Sequence, residues 1–481
     1  MNKILIVFCL ILLSLSASAQ QFSQYNTGTL FDSFENPSQR SFIPDSSRQL
    51  AFNFLIPNFD VNTYLTGNMQ PGVKSRLFSN NAYYDTEKLK IGQNKYNHFN
   101  ANINAYSIMF KVFTSLNGDV EMGFSAQTKV ESRGLFSDES LALLNGASDF
   151  PRNTYSNIFN DSYSYQAYHQ IGFSYRERIN NKIALGFKIS GLLGIQYQKI
   201  NITESQINFD RTDPSKPTAI LALKGSYYDS YIPGLMTSHD YLPTFRNPGA
   251  AISLGASYKT DDHITIQANV KDLGFIHWSK RSNIYNFDNS EPLNDLSTAH
   301  REDTIYNRTH KLLKNNGVMQ SFTTPINGRA ELSATKSYWL GDNNTLKYSP
   351  TLIASKELFF TGFTGALVNH FQFGLCTATL TTSYDDMKFF NVGTQFMIKS
   401  PNVEFFVGTD RLINTGRLAL ASLQNTTQIM HEGNYSGGDF YLGFTLKFGH
   451  VIEHPMNAST IPMGEKGFLG RLFGRLFKTN Q

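Results

Sequence analysis

The chain has almost no cysteine. Of its two cysteines, Cys9 falls in the apolar start of the sequence, which leaves Cys376 alone and excludes an internal disulfide in the remainder. Small secreted domains commonly depend on such staples, and this chain does without. Long hydrophobic runs are missing too. Beyond the start, no segment offers eighteen consecutive apolar residues, so a helical membrane span is not expected. Charged residues make up 17 % of the chain, below the roughly 25 % of an average soluble domain. The net charge of +4 gives no argument for nucleic acid as a partner. P-loops, dinucleotide fingerprints and paired-cysteine metal motifs are also lacking.

What is present is aromatic and alternating. There are 39 Phe and 24 Tyr. In "GGDFYLGFTLKFGHVIEH", Phe440, Leu442, Phe444, Leu446 and Phe448 fall on every second residue, which predicts a β-strand with one wholly apolar face. The same period recurs along the chain. Phe99, Ala101 and Ile103 alternate with Asn100, Asn102 and Asn104; the phase then slips, and Tyr106, Ile108, Phe110 and Val112 form the apolar set. A slip of one residue predicts a β-bulge near Ala105. Asn117-Gly118, Asn180-Asn181 and Asp261-Asp262 mark tight turns between such strands. "QLAFNFLI" reads as an early strand, and later ones are expected near 328–339, 345–359, 366–382, 387–399 and 402–409.

These strands suggest an all-β fold: a transmembrane antiparallel barrel of about fourteen strands, within a range of roughly twelve to sixteen. Assigning the loops to alternate sides leaves one strand out of phase between residues 200 and 410. Long polar connections at 131–161, 201–248, 279–327 and 410–437 alternate with short turns, as barrels require. In the first, "SDESLALLNG" predicts a short helix capped by Ser137 or Asp138 and ended by Gly146. A soluble β-sandwich would alternate as well. Its solvated face would carry Lys and Glu, however, whereas the polar faces here are rich in Gly, Ser, Thr, Asn and Gln. The apolar face of 440–448 is therefore assigned to lipid. The domain reading is a signal peptide at 1–19, with Gln20 first after cleavage, then a segment 20–48 that folds into the lumen as a plug. The barrel follows at 49–450, and 451–481 is a periplasmic tail.

A resemblance adds to this. "QQFSQYNTGTLFDSFENPSQRSF", "VKDLGFIHW" and "VEFFVGTDRLIN" resemble, in that order, segments of an uncharacterised Bacteroidetes outer-membrane barrel family. That family is similar in architecture to the fatty-acid-transporter-type barrels and to the PorP-like barrels associated with type IX secretion. The resemblance implies the cell outer membrane as location and supplies no catalytic residues.

Chemistry by motif is sparse. "HVIEH" fits a zinc-peptidase spacing at His450, Glu453 and His454, but it continues a strand and meets Pro455, so a helix that would place both histidines on one metal is not expected. Cys376 reads as a small packed residue. No catalytic, metal or cofactor site is assigned, and the chain is not read as an enzyme. In the tail, Phe468, Leu469, Leu472, Phe473, Leu476 and Phe477 recur at helical spacing, with Arg471, Arg475 and Lys478 on the other side. This predicts a basic amphipathic helix for the membrane interface or a partner groove. The expected function is passage or binding of a small, hydrophobic molecule. The alternative is a non-transporting scaffold for a secretion or surface complex. Outer-membrane lipid, a hydrophobic ligand and a secretion or surface-complex protein are the partners these readings name.

Overall fold

The computed structural model describes residues 21–79, 83–115, 119–230, 241–341, 345–424, 435–454, 457 and 467–473. The expected signal peptide and the Asn117-Gly118 turn lie outside them. Fourteen antiparallel strands close on themselves. β1 is Arg48–Phe52 continued as Asn58–Thr66, β2 Tyr96–Ser115, β3 Val120–Ser137, β4 Ser162–Arg178 and β5 Ile183–Asp210. β6 is Thr218–Asp229 continued as Pro248–Lys259, and β7 is Ile264–Trp278 continued as Asn283–Leu293. β8 comprises Gly317–Met319, Phe322–Pro325 and Arg329–Lys336. β9 (Leu346–Glu357), β10 (Phe363–Phe373), β11 (Cys376–Asp385), β12 (Phe390–Lys399), β13 (Val403–Thr409) and β14 (Tyr435–Val451) complete the circuit. β14 pairs with β13 on one side and with both pieces of β1 on the other, so the barrel is closed.

Closure fixes which face each residue takes. In β14, Tyr441, Gly443, Thr445 and Lys447 are buried toward the lumen, while Phe440 to Phe448 on even positions point outward. In the low part of the barrel the outward band carries Leu332, Leu352, Leu367, Leu380 and Phe396. Aromatic side chains flank this band. Tyr338, Trp339, Phe371 and Phe373 lie toward the end that holds both termini, and Phe359, Phe363, Tyr384 and Phe390 lie toward the other end. β10 is 11 residues long, the length a tilted strand needs to cross a bilayer. A closed barrel with an apolar belt between aromatic girdles is an outer-membrane barrel, and this chain is one.

β5, β6 and β7 rise beyond that belt, and there the polarity inverts. Ile207, Phe209, Leu221, Leu223 and Phe287 face inward, while Glu204, Gln206, Lys224 and Asp288 face out. Register shifts in β5, next to Gly194 and next to Ile202, turn its faces over. The inward residues pack on the helices α1 (Asp138–Leu143) and α2 (Arg301–Leu313) to form an apolar cap core. Water rather than lipid surrounds this extension, so the usual inside-apolar arrangement returns. The expected helix is α1, with Ser137 at its N-cap position and Gly146 in the left-handed region just past its end.

Several expectations are corrected. The span 366–382 is not one strand: Gly374, at φ 57°, turns the chain between β10 and β11. That split supplies the strand that was out of phase. Residues 201–248 and 279–327 are not only connections, since they hold the upper parts of β5, β6 and β7. Their apolar face points to the cap rather than outward. "QLAFNFLI" is not continuous, because β1 stops at Phe52. Tyr106 is not outward. The bulge lies at Ser107, between Tyr106 and Ile108, and Tyr106 is fully buried in the lumen with its hydroxyl donating to Glu35 at 2.8 Å. Cys376 is exposed at the β10–β11 turn rather than packed.

Candidate functional site

Residues 21–42 lie inside the barrel against its lumenal side chains. Two short elements order the segment: a helical turn at Phe22–Gln24 and a helix, Leu30–Glu35, whose N-cap Thr29 accepts from the Asp32 amide. The wall holds this segment mainly by its backbone. Lys111 donates to the Ser33 carbonyl at 3.0 Å, Lys188 to Phe34 at 3.1 Å and Lys399 to Gly28 at 2.7 Å. Lys447 donates to Ser41 at 2.6 Å and Arg176 to Ser38 at 2.9 Å. Carboxylates take the opposite groups: Asp410 accepts from Phe22 N, Glu404 from Leu30 N and Glu121 from Ser41 N. Buried cations and anions are tolerable only when so paired. The wall is also shaped for the segment. A Cβ on Gly186 would fall 1.9 Å from the Pro37 carbonyl oxygen, so only glycine admits the chain there. Burial pushes the Asp32 carboxyl up to about 7. Burial acts the same way on Glu35, but Lys271, Lys129 and Lys188 overcome it and hold that carboxyl near 2.

Toward the loop end, an ion pair crosses the lumen. Arg133 of β3 reaches Glu357 of β9 at 2.6 Å, and Arg329 of β8 approaches the same carboxylate at 3.5 Å. A cavity of about 90 Å³ lies here, bounded by Phe22, Asn62, Tyr64, Asn100 and the Arg133–Glu357 pair. Because β9 to β13 are short, it is also lined by their turns, at Thr361–Gly362 and Asp386–Met387. A second cavity of about 30 Å³ lies deeper, among Gln21, Tyr25, Phe31, Asp60, Asn104 and Lys271.

The two cavities share one stretch of wall. Along it β1 and β2 pair as Tyr64 with Asn100, Asn62 with Asn102, Asp60 with Asn104 and Asn58 with Tyr106. Every one of these side chains faces the lumen. Below the last pair the wall is interrupted. Between Phe52 and Asn58 the chain leaves the sheet, with Phe54 and Leu55 both in the left-handed region at φ 51° and 60°. Phe54, Leu55 and Ile56 stand exposed on the outer surface at 47 %, 65 % and 46 %. Asn53 and Asn58 satisfy the backbone that the break frees. Asn53 accepts from Met109 N and donates to the carbonyls of Tyr106 and Ile56, and Asn58 accepts from Phe444 N at 3.0 Å. Directly inside lies an apolar layer of Leu30, Phe31, Phe34, Tyr106, Phe406 and Tyr441. Phe31 meets Tyr106 and Phe406 edge-on, with ring centroids 5.7 Å apart in both cases. The strand break is thus apolar on its outer surface and backed by aromatic rings inside.

The other expected site residues are placed as follows. Leu442, Phe444 and Leu446 are half-buried, and Phe440 and Phe448 are exposed, all on the outer surface of β14. The tail helix is described over Phe468–Phe473. It lies on the outside of the barrel at the termini end. Leu469 is buried against Val120 and Tyr175, and its amide donates to Glu177 at 2.7 Å. Phe468, Arg471 and Leu472 are exposed; the Phe473 side chain and Arg475, Leu476, Phe477 and Lys478 lie outside the described residues. His450 is the next-to-last residue of β14, and Glu453 and His454 follow on non-helical chain, so the HVIEH spacing has no helix to present it. The asparagines of β2 were visible in the sequence only as a polar face. The break in β1 had a signal that alternation masked: Phe54, Leu55 and Ile56 are consecutive apolar residues ahead of Pro57, where a strand would alternate.

The model of a family of unknown function, DUF5723, matches residues 44–410, so the chain belongs to that family. No curated protein matches it. Among solved structures it is similar to a FadL homologue from Pseudomonas aeruginosa, at 12 % identity and TM-score 0.41 over 89 % of this chain and 96 % of that one. It is similar to a TodX mutant described as a monoaromatic hydrocarbon channel, at 9 % identity and TM-score 0.40 over 90 % and 96 %. It is also similar to the toluene transporter TbuX from Ralstonia pickettii, at 10 % identity and TM-score 0.38 over 86 % and 93 %. Those scores are too low to carry the fold, which stands on the strand pairing.

Proposed function

We propose that this DUF5723 member passes small, hydrophobic molecules across the outer membrane. They enter the cavity at the loop end, move between the N-terminal segment and the β1–β2 wall, and leave sideways at the break in β1. The observation that carries this reading is the break itself. It is bordered by exposed apolar residues outside and by Phe31, Tyr106 and Phe406 inside, so an apolar molecule meets no uncompensated polar backbone on its way to lipid. Residues 21–42 act as the plug, and their many backbone ties to the wall keep the resting lumen shut. Hydrocarbon passage is named for TodX, and toluene transport for TbuX; for this chain the reading rests on its own wall. The outward face of β14 meets lipid, and the tail helix sits at the inner-leaflet surface with Phe468 and Leu472 turned toward it. The likeness to Bacteroidetes barrels fits this placement.

The test is to mend the wall. β1 has two more residues than β2 between their flanking pairs, Phe52 with Phe110 and Asn58 with Tyr106. Against β14 the excess is three, between Phe52 with Leu446 and Phe59 with Leu442, so deleting Phe54 and Leu55 should let β1 pair with β2 throughout and leave a one-residue bulge against β14. The variant is expected to assemble and to show the heat-dependent gel migration of a folded barrel. Uptake of a neutral apolar dye such as phenylnaphthylamine should fall to the level of cells without the protein. Unchanged uptake by an assembled variant would contradict a lateral exit.

A further inference from the structure

We propose that the facing amides of β1 and β2 form a binding track for a neutral amphiphile that donates hydrogen bonds, such as an alkyl phenol or alcohol. This rests on the passage reading and narrows its cargo. The side-chain oxygens of Asn100, Asn102 and Asn104 are buried and accept no hydrogen bond. They recur on one face of one strand, so successive oxygens stand roughly 7 Å apart. Buried polar atoms are almost always satisfied, and an orphaned acceptor costs stability until a donor reaches it. Three in a row are an unusual concentration. They span the interval between the two cavities: Asn100 lines the outer one and Asn104 the inner one. Across the track the plug presents rings, Phe22 at the outer cavity and Tyr25 and Phe31 at the inner. A ligand there meets acceptors on one side and aromatic faces on the other.

The charges nearby disfavour an anion. Arg133 and Arg329 are held by Glu357, and Lys271 is held by Glu35 and Glu331 at 3.0 and 2.9 Å. Asp60, beside Asn104, adds one more acceptor to the track. A hydroxyl donates to such a row, whereas a plain hydrocarbon leaves every acceptor orphaned. Sites built to bond a ligand hydroxyl discriminate strongly against the analogue without it.

The experiment compares p-cresol with 4-methylanisole, its O-methyl ether, and with toluene. Binding to the full-length protein in detergent is read by titration calorimetry against a protein-free micelle blank. p-Cresol is expected to bind at least about tenfold tighter than either of the other two. Asn102→Leu and Asn104→Leu, checked for folding by heat-dependent migration, should bring the three within about twofold. Asn102→Gln should keep the preference. Equal binding of p-cresol and its ether by the unaltered protein would overturn the proposal, and so would no saturable p-cresol binding, or tighter binding of butylammonium. None of these needs transport. The preference can therefore fail while the lateral exit stands, and the exit can fail while the preference stands.

Discussion

Asp272→Leu should destabilise the folded barrel by about 3–5 kcal/mol, the range for removing one partner of a buried ion pair. Asp272 sits at a bulge in β7, in the left-handed region at φ 55°, and is 3 % exposed. The bulge turns two successive residues, Lys271 and Asp272, into the lumen. There Asp272 accepts from Lys129 at 2.5 Å and from Gln170 at 2.9 Å, with Lys188 at 3.9 Å. A leucine would leave two buried ammonium groups without their carboxylate. Lys188 also holds the plug through Phe34, so the plug should loosen with the wall. Asp272→Asn keeps an acceptor for Gln170 and should cost less. Equilibrium unfolding in urea with lipid vesicles would read both. A loss under about 1 kcal/mol for Asp272→Leu would show that the ion-pair layer is not what holds the lumen together.

Leu352→Arg should cost about 2–4 kcal/mol, as for a cation near mid-membrane on a barrel's lipid face. Leu352 stands in the middle of β9 and is 63 % exposed on the outer surface. Ile220 provides the contrast. It too points outward and is 54 % exposed, but it lies on the extension of β6, paired with Asn208 and Pro292. Water surrounds it, so Ile220→Arg should change stability by no more than about 0.5 kcal/mol. Equal penalties at the two positions would mean that the membrane boundary has been drawn in the wrong place.

Alternation revealed the barrel because lipid imposes one rule on every strand that crosses it. Where that rule ends, legibility ends too. The upper halves of β6 and β7 read as loops because their apolar residues face a protein core. Gly374 was concealed because Phe373 and Leu375 continue the apolar run across it. The asparagine face of β2 could be read residue by residue, since Asn100, Asn102 and Asn104 share one phase. Its value as a site depended on β1 supplying Asn62 and Asp60 opposite and on the plug supplying rings. Pairs more than thirty residues apart leave no mark in local pattern. Tyr106 shows the same limit: the phase slip was visible, but a displacement of two residues in the bulge decides whether the ring faces lipid or lumen.

The most direct test of the passage account is to pin the plug. The Ser23 and Thr381 hydroxyls lie 2.8 Å apart, one on the plug and one on β11, so Ser23→Cys and Thr381→Cys place two thiols facing each other for oxidation to a disulfide. Cys376→Ser removes the exposed competing thiol. Uptake of phenylnaphthylamine is then measured in the oxidised protein and again after reduction. The account predicts that uptake is lost in the oxidised state and restored in the reduced state. Equal uptake in both states, with the disulfide confirmed, would contradict passage alongside a movable plug.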